Sequence, residues 1–508
     1  MKKRLILILV SLLLIGSFAA CDMEFGGLVG ELFSEGVGDY IPSDDFVPET
    51  AVEETWIETD VLVGEHPTSP EIWWDETECG TEPPIVELPE NQFAGQELVV
   101  LQVKESDLGY VKDLDTTISE ITFLRNQTVQ EKYNFVITNA YAKHQDMANM
   151  VLNDFTAGTG EYDLVLGGMS SIGAPLAQKG VLTNLNDLPW LRPSSWDAGA
   201  LTDLSIGGYL PMMTGEISPD VMLKTSLILY NKEFADQIGL DIHMYYEQGV
   251  WTLHNMQVMN MVAQSDLNGN STMEMGDAFG LVCRPEDARA FAVGTGSLIV
   301  IKDGNNLPAY QDNIHHVQMI INNYSTFYQM FSLGALAINS GINAFTPMKE
   351  FVQGHALFMS ATVKDALHLA QNDVAFGIMP YPTTEENASE YHSYVDSGAA
   401  AVMVPSNAPK DFVGYALEAM AKESEGMYYD RFSMRICSTA EDLDMLNLVM
   451  ETKSFDFVST YMHAAGPAVT NMFGVALENE SPYLTSLLKQ NQEVIENAIK
   501  DLIRMAEQ

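Results

Sequence analysis

Beyond residue 95, short apolar runs alternate with segments whose apolar residues recur at helical spacing. The Val- and Leu-rich run 96–103 predicts a strand. Ile118, Ile121, Leu124 and Val129 then predict a helix reaching Tyr133, ahead of a second apolar run at Phe135, Val136 and Ile137. The alternation continues. Residues 144–155 read as a helix, 162–166 as a buried strand ending at Gly167 and Gly168, and 172–179 as another helix. Further strands are predicted at 227–230, 356–359, 374–379 and 399–404. Further helices are predicted at 232–238, stopped by Gly239, at 253–264 with Thr252 as N-cap, and at 482–506. Strands alternating with helices predict an α/β protein in which ligands meet the carboxyl ends of strands.

The first hundred residues follow a different pattern. Lys2, Lys3 and Arg4 precede an apolar run over 5–15, then Ser17, Ala19 and Ala20, then Cys21. A basic start, a short apolar core and small residues describe a secretory signal peptide over 1–20, too short to be read by default as a membrane span. Ala19-Ala20-Cys21 resembles the bacterial lipobox, although Phe18 stands where Leu is usual. The resemblance implies a diacylated Cys21 and a place on the extracellular face of the bacterial cytoplasmic membrane. From Asp22 to Asn91 there are twenty acidic residues, and after Arg4 no Lys or Arg occurs before Lys104. Such a segment cannot bury enough apolar surface to offset its ordering entropy, so 21–93 is expected to be a disordered acidic tether.

Charge narrows the partners. The 508-residue chain carries a formal net charge of −45, and the body beyond the tether is still acidic. A nucleic acid or a phosphate-rich partner needs a basic face, so neither is expected. Cys79, Cys283 and Cys437 are far apart with no CxxC spacing; the last two are expected as free thiols, although an exported protein could pair them.

One stretch has metal-ligand spacing. Asp266, Asn268, Asn270, the carbonyl of Thr272, Glu274 and Asp277 occupy positions one, three, five, seven, nine and twelve of a calcium loop, where one tight turn converges hard oxygen donors on one ion. Ser271 replaces the usual Gly and Asp277 the longer Glu, so the expectation is a weak structural Ca2+ site; the alternative is an Asn- and Gly-rich turn. No hydrolase signature, zinc motif, P-loop or dinucleotide fingerprint occurs, and no enzyme is predicted.

The ordered series Ala157-Gly158, Glu161-Tyr162-Asp163-Leu164-Val165, Gly180-Val181-Leu182-Thr183-Asn184-Leu185, Leu227-Ile228-Leu229-Tyr230-Asn231-Lys232-Glu233-Phe234 and Gly249-Val250-Trp251-Thr252-Leu253 resembles the extracellular solute-binding proteins of ABC importers. The match is to the family-one group that includes maltose-type sugar binders. Gln353-Gly354-His355-Ala356-Leu357-Phe358, Phe376-Gly377-Ile378-Met379-Pro380-Tyr381-Pro382 and Val404-Pro405-Ser406-Asn407-Ala408 continue it in the same order. The resemblance implies an α/β, two-lobed periplasmic-binding-protein-like fold of type II, with a cleft between the lobes. It implies lobe 1 at 94–212 and 398–445, lobe 2 at 213–397, and C-terminal helices at 446–508, mainly on lobe 2. The chain would cross between lobes near 208–226 and 396–402.

The same resemblance implies capture of a small solute, expected to be a carbohydrate, for delivery to ABC permease subunits by a monomer. Candidate ligand-binding residues are Tyr110, Ser170, Glu216, Arg289, Ser360, Thr362 and Ser397. Maltose-type binders place a tryptophan after the strand matching 356–359, whereas Ser360-Ala361-Thr362 follow here, so a large stacking platform is missing at that point. The alternative function is a surface sensor or adhesin that keeps the fold without a transporter.

Overall fold

The computed structural model describes residues 88–103, 116–337, 346–372 and 374–507. The signal peptide, Cys21, Cys79, the tether as far as residue 87, and Tyr110 lie outside the described residues. Nine strands build two sheets: β1 (Glu97–Val103), β2 (Val136–Ala142), β3 (Leu164–Gly168), β4 (Ser226–Asn231), β5 (Phe279–Cys283), β6 (Ala335–Ala337), β7 (Ala356–Thr362), β8 (Phe376–Met379) and β9 (Ala400–Met403). The first sheet has the order β9-β3-β1-β2, with β1, β2 and β3 parallel and β9 antiparallel to β3. The second has the order β8-β4-β7-β5-β6. There β5, β6 and β7 run parallel, and β4 opposes both its neighbours.

Both sheets are covered on their faces, which is why their inner strands read as continuous apolar runs rather than alternating ones. Every residue of β3 and of β5 is buried. The helix Leu253–Ala263 starts where the sequence puts its cap: the Thr252 hydroxyl accepts the Asn255 amide at 3.2 Å. It turns Leu253, Met256, Met259 and Ala263 inward. Its approach to the sheet is so close that a Cβ at Gly280 would overlap both Oδ1 and Cα of Asn260, which fixes glycine in the middle of β5.

The packed body begins before residue 94. Leu88 is buried, the Pro89 carbonyl accepts the Tyr415 hydroxyl, and the Phe93 ring lies 5.4 Å from Phe412. Three segments link the two sheets. Met213 and Val402 exchange backbone hydrogen bonds of 3.2 and 2.8 Å, and Thr225 bridges Val395 just before β4. Ser393 and Tyr394 pair in parallel with Lys453 and Ser454, a two-residue strand too short to leave a pattern in the sequence.

A hairpin, Val300–Lys302 paired with Pro308–Tyr310, reaches from the second-sheet side to the segment 202–207 beside the first. The Gly207 amide donates to the Asn306 carbonyl at 2.8 Å, and Lys302 Nζ donates to the carbonyls of Thr202 and Ser205. Burial pushes Lys302 down to about 8 and the nearby Asp203 up to about 6, while Asp203 also accepts the Phe455 amide at 2.9 Å. Lys302 holds the Asp203 pKa down, so Lys302→Met raises it further. A carboxyl raised above its unfolded value costs stability as pH climbs through that interval. Lys302→Met should therefore lose about 2 kcal/mol more at pH 7 than at pH 5 in urea unfolding. Equal losses at the two values would show that Asp203 does not feel Lys302 and that the loss comes from the hydrogen bonds to Thr202 and Ser205 alone.

Candidate functional site

The second sheet ends in a cavity of about 230 Å³ lined by Ser226, Arg284, Glu286, Asp287, Ala290, Ala361, Thr362, Tyr381, Tyr394 and Asp396. Ser226 opens β4, Arg284 follows β5, Thr362 closes β7 and Tyr381 follows β8. Since β4 runs against the others, all four positions fall at one end of the sheet. That end carries the carboxyl termini of β5, β7 and β8, where α/β sheets take their ligands. Tyr394 and Asp396 come from the linking segment that returns to the first sheet.

The polar walls are fixed by their neighbours. Arg284 binds Asp287 through Nη2 to Oδ1 at 2.8 Å and Nε at 3.2 and 3.3 Å, and its own amide donates to Asp287 Oδ2 at 2.8 Å. Burial pushes the Asp287 carboxyl up against the opposing pull of Arg284, and Asp287 in turn raises the Arg284 pKa. The Tyr381 hydroxyl and Ser360 Oγ share a buried hydrogen bond of 2.6 Å, and the Tyr381 ring meets Phe291 edge-on at 4.9 Å. Tyr394 has the Arg289 guanidinium 5.9 Å from its ring centroid, and Arg289 is itself held by Asp456 at 3.3 Å.

The residues singled out in the sequence fall in different places. Thr362 lines the cavity, but its hydroxyl also caps the helix Val363–Leu369 in a reciprocal pair with Asp365. Ser360 stands behind Tyr381, and Arg289 stands behind Tyr394. Ser397 accepts the Ser170 amide through its carbonyl at 2.9 Å, so these two join the end of β3 to the linking segment next to Asp396. Close packing there leaves no room at Gly168, where a Cβ would meet Ser171 Oγ at 2.6 Å. Glu216 is elsewhere: it accepts the Gly426 amide at the start of the helix Met427–Ile436, and burial raises its carboxyl.

Arg284, Glu286, Asp287, Tyr381, Tyr394 and Asp396 are not among the candidates that sequence reasoning supplies. The available signal is a charged Arg-Pro-Glu-Asp run directly after a wholly buried strand, at the end of the sheet where ligands gather.

In the 266–277 loop, Asp266 accepts the amides of Gly269 and Ser271, Asn268 that of Asn270, and Asn270 that of Thr272, at 2.6 to 2.9 Å. Asp277 accepts the amides of Leu267 and Glu274, and Glu274 takes the side-chain amides of Asn268 and Asn270. Ser271, in the glycine position, has a φ of 65°. The donors are the hard oxygens calcium prefers, but among the described residues no three His, Cys, Asp or Glu side chains gather as a metal-binding group. Cys283 and Cys437 are both free; burial pushes the Cys283 thiol up and the Cys437 thiol to about 12.

Known structures share this architecture. UspC of M. tuberculosis superposes with a TM-score of 0.55 at 13% identity, covering 79% of this chain and 100% of that one. The cyclic alpha-maltosyl-1,6-maltose binding protein of Arthrobacter globiformis gives 0.53 at 13%, covering 81% and 99%. The chain has the fold of the ABC solute-binding proteins. A third neighbour with that fold, an ABC substrate-binding protein of Listeria monocytogenes in complex with cycloalternan, gives 0.50 at 11%, covering 81% and 98%. No protein-family model matches the sequence, and no curated protein matches it. Within this solute-binding fold the cavity lies beside the linking segments. No helix among the described residues is long and apolar enough to cross a membrane.

Proposed function

We propose that the protein is a lipid-anchored solute-binding component that captures a carbohydrate and presents it to an ABC importer. The observation that carries this reading is the cavity at the strand ends of a solute-binding fold, with tyrosine walls and a planar Arg284–Asp287 pair beside the linking segments. Aromatic faces suit the apolar sides of sugar rings, and paired planar groups suit their hydroxyls. Two of the neighbouring structures are named for sugar ligands, which supports the same solute class. Binding and release are the proposed task, with no chemical step, and closure of the lobes over the solute would be the state the importer reads.

A thermal-shift series on the full chain with mono- and oligosaccharides, peptides and polyamines tests the proposal. A saccharide at 100 times its Kd should stabilise the fold by about 2.7 kcal/mol. A shift with a peptide or polyamine and with no saccharide would overturn it. The same proposal includes a weak calcium role for the 266–277 loop, which would require Glu274 to turn from Asn268 and Asn270 toward the ion. Millimolar calcium should then raise the melting temperature of the EDTA-treated protein, and an unchanged temperature refutes that role. The anchor at Cys21 predicts that Cys21→Ser moves the protein from the membrane fraction into the medium.

A further inference from the structure

The walls of the cavity restrict what the proposed carbohydrate can be, and this inference rests on that functional reading. A volume of about 230 Å³ lies below the roughly 300–1,000 Å³ of ordinary ligand clefts and gives room for about eight water-sized groups. That is one sugar ring with its hydroxyls, not two. The residues that set the limit are braced. Tyr381 is fully buried and bonded to Ser360, while Tyr394 is packed against the Arg289 guanidinium and lies 3.4 Å, hydroxyl to amide nitrogen, from Ser397. Neither ring has a free direction in which to swing aside for a second sugar unit.

Charge adds a second restriction. One guanidinium and three carboxylates line the space, and the guanidinium is already engaged by Asp287. Asp365, bonded to Thr362, adds a further negative charge close to Arg284 and Asp287. Two cations beside the linking segment are committed as well: Arg289, against Tyr394, to Asp456, and Lys224 to Asp220 and the Gly398 carbonyl. An anionic group placed here would face Glu286 and Asp396 with no uncommitted cation among these. Hydroxyl groups, by contrast, can donate to those carboxylates and accept from Arg284. We infer that the site takes a single monosaccharide-sized polyol without an anionic group, and excludes both longer glycans and acidic sugars.

Isothermal titration of the full chain tests this. Glucose, galactose, mannose and xylose are compared with disaccharides of the same units and with the corresponding uronic acids. The expected result is a monosaccharide that binds at least tenfold more tightly than both its disaccharide and its uronate. A disaccharide or longer glycan that binds more tightly than its monomer overturns the size restriction, and a uronate within threefold of its parent sugar overturns the charge restriction. Either result leaves the carbohydrate function standing, whereas binding of peptides or polyamines and of no saccharide overturns both. The variant pair Glu286→Gln and Asp396→Asn checks the cause. The carboxamide introduced by Asp396→Asn can still accept the Gly398 amide, which Asp396 accepts at 2.7 Å. In the double variant the uronate penalty should shrink to below threefold; an unchanged penalty removes these carboxylates as its source.

Discussion

Trp251→Ala should destabilise the protein by about 4 kcal/mol, seen as a lower urea midpoint at unchanged slope. Trp251 is fully buried, and its indole packs 5.8 Å from the Phe358 ring of β7. Its Nε1 donates to the Pro380 carbonyl at 2.9 Å, and its own carbonyl accepts the Thr383 amide at 3.2 Å. The side chain therefore ties the start of the helix Leu253–Ala263 to the turn that carries Tyr381. Truncation removes a large apolar volume and leaves the Pro380 carbonyl without its donor. Trp251→Phe keeps most of the ring and should cost about 2 kcal/mol, mainly through that lost hydrogen bond. Because the turn positions a cavity wall, both variants should also weaken solute binding. A loss below 1 kcal/mol for the alanine variant would mean that the core closes around the gap.

The resemblance already places Trp251 at a helix start, and apolar patterning makes the main strands legible. β1, β3, β4, β7, β8 and β9 are all apolar runs of strand length, because a sheet covered on both faces needs them. The short pieces are not legible. β6 and the Lys453–Ser454 strand have three and two residues, and their pairing is decided by what lies beside them rather than by their own pattern. The segment 172–179, expected as one helix, is a wider π turn at Met169–Gly173 running into the helix Ala174–Gln178.

The site is less legible than the fold for a related reason. A hydroxyl at a strand end can line a cleft, cap a helix or brace a neighbour, and sequence does not separate these uses. Thr362 does the first two, Ser360 the third. Arg284, Glu286 and Asp287 look like an ordinary charged loop until Tyr394 and Asp396 arrive from more than a hundred positions later and close the cavity over them.

Arg284→Met should weaken solute binding by about 100-fold, the cost of one charge-assisted contact and a misplaced partner. It should also destabilise the fold by about 2 kcal/mol, a value reduced for the partial exposure of Arg284, whose side chain is 31% accessible against 11% for Asp287. Stability and binding can be separated by pH and by a second substitution. Arg284 opposes the burial that raises the Asp287 carboxyl, so removing it lifts that pKa further above its unfolded value. The unfolded state then binds fewer protons than the folded state over a wider interval, and stability falls as pH rises through it. The melting temperature of Arg284→Met should thus approach that of the wild type near about pH 4.5 and fall away toward about pH 7; parallel curves would show that Asp287 does not feel the guanidinium. Adding Asp287→Leu removes the stranded carboxyl and should restore most of the stability while leaving binding lost. A double variant that regained stability and still bound the solute at wild-type strength would show that the pair serves packing alone.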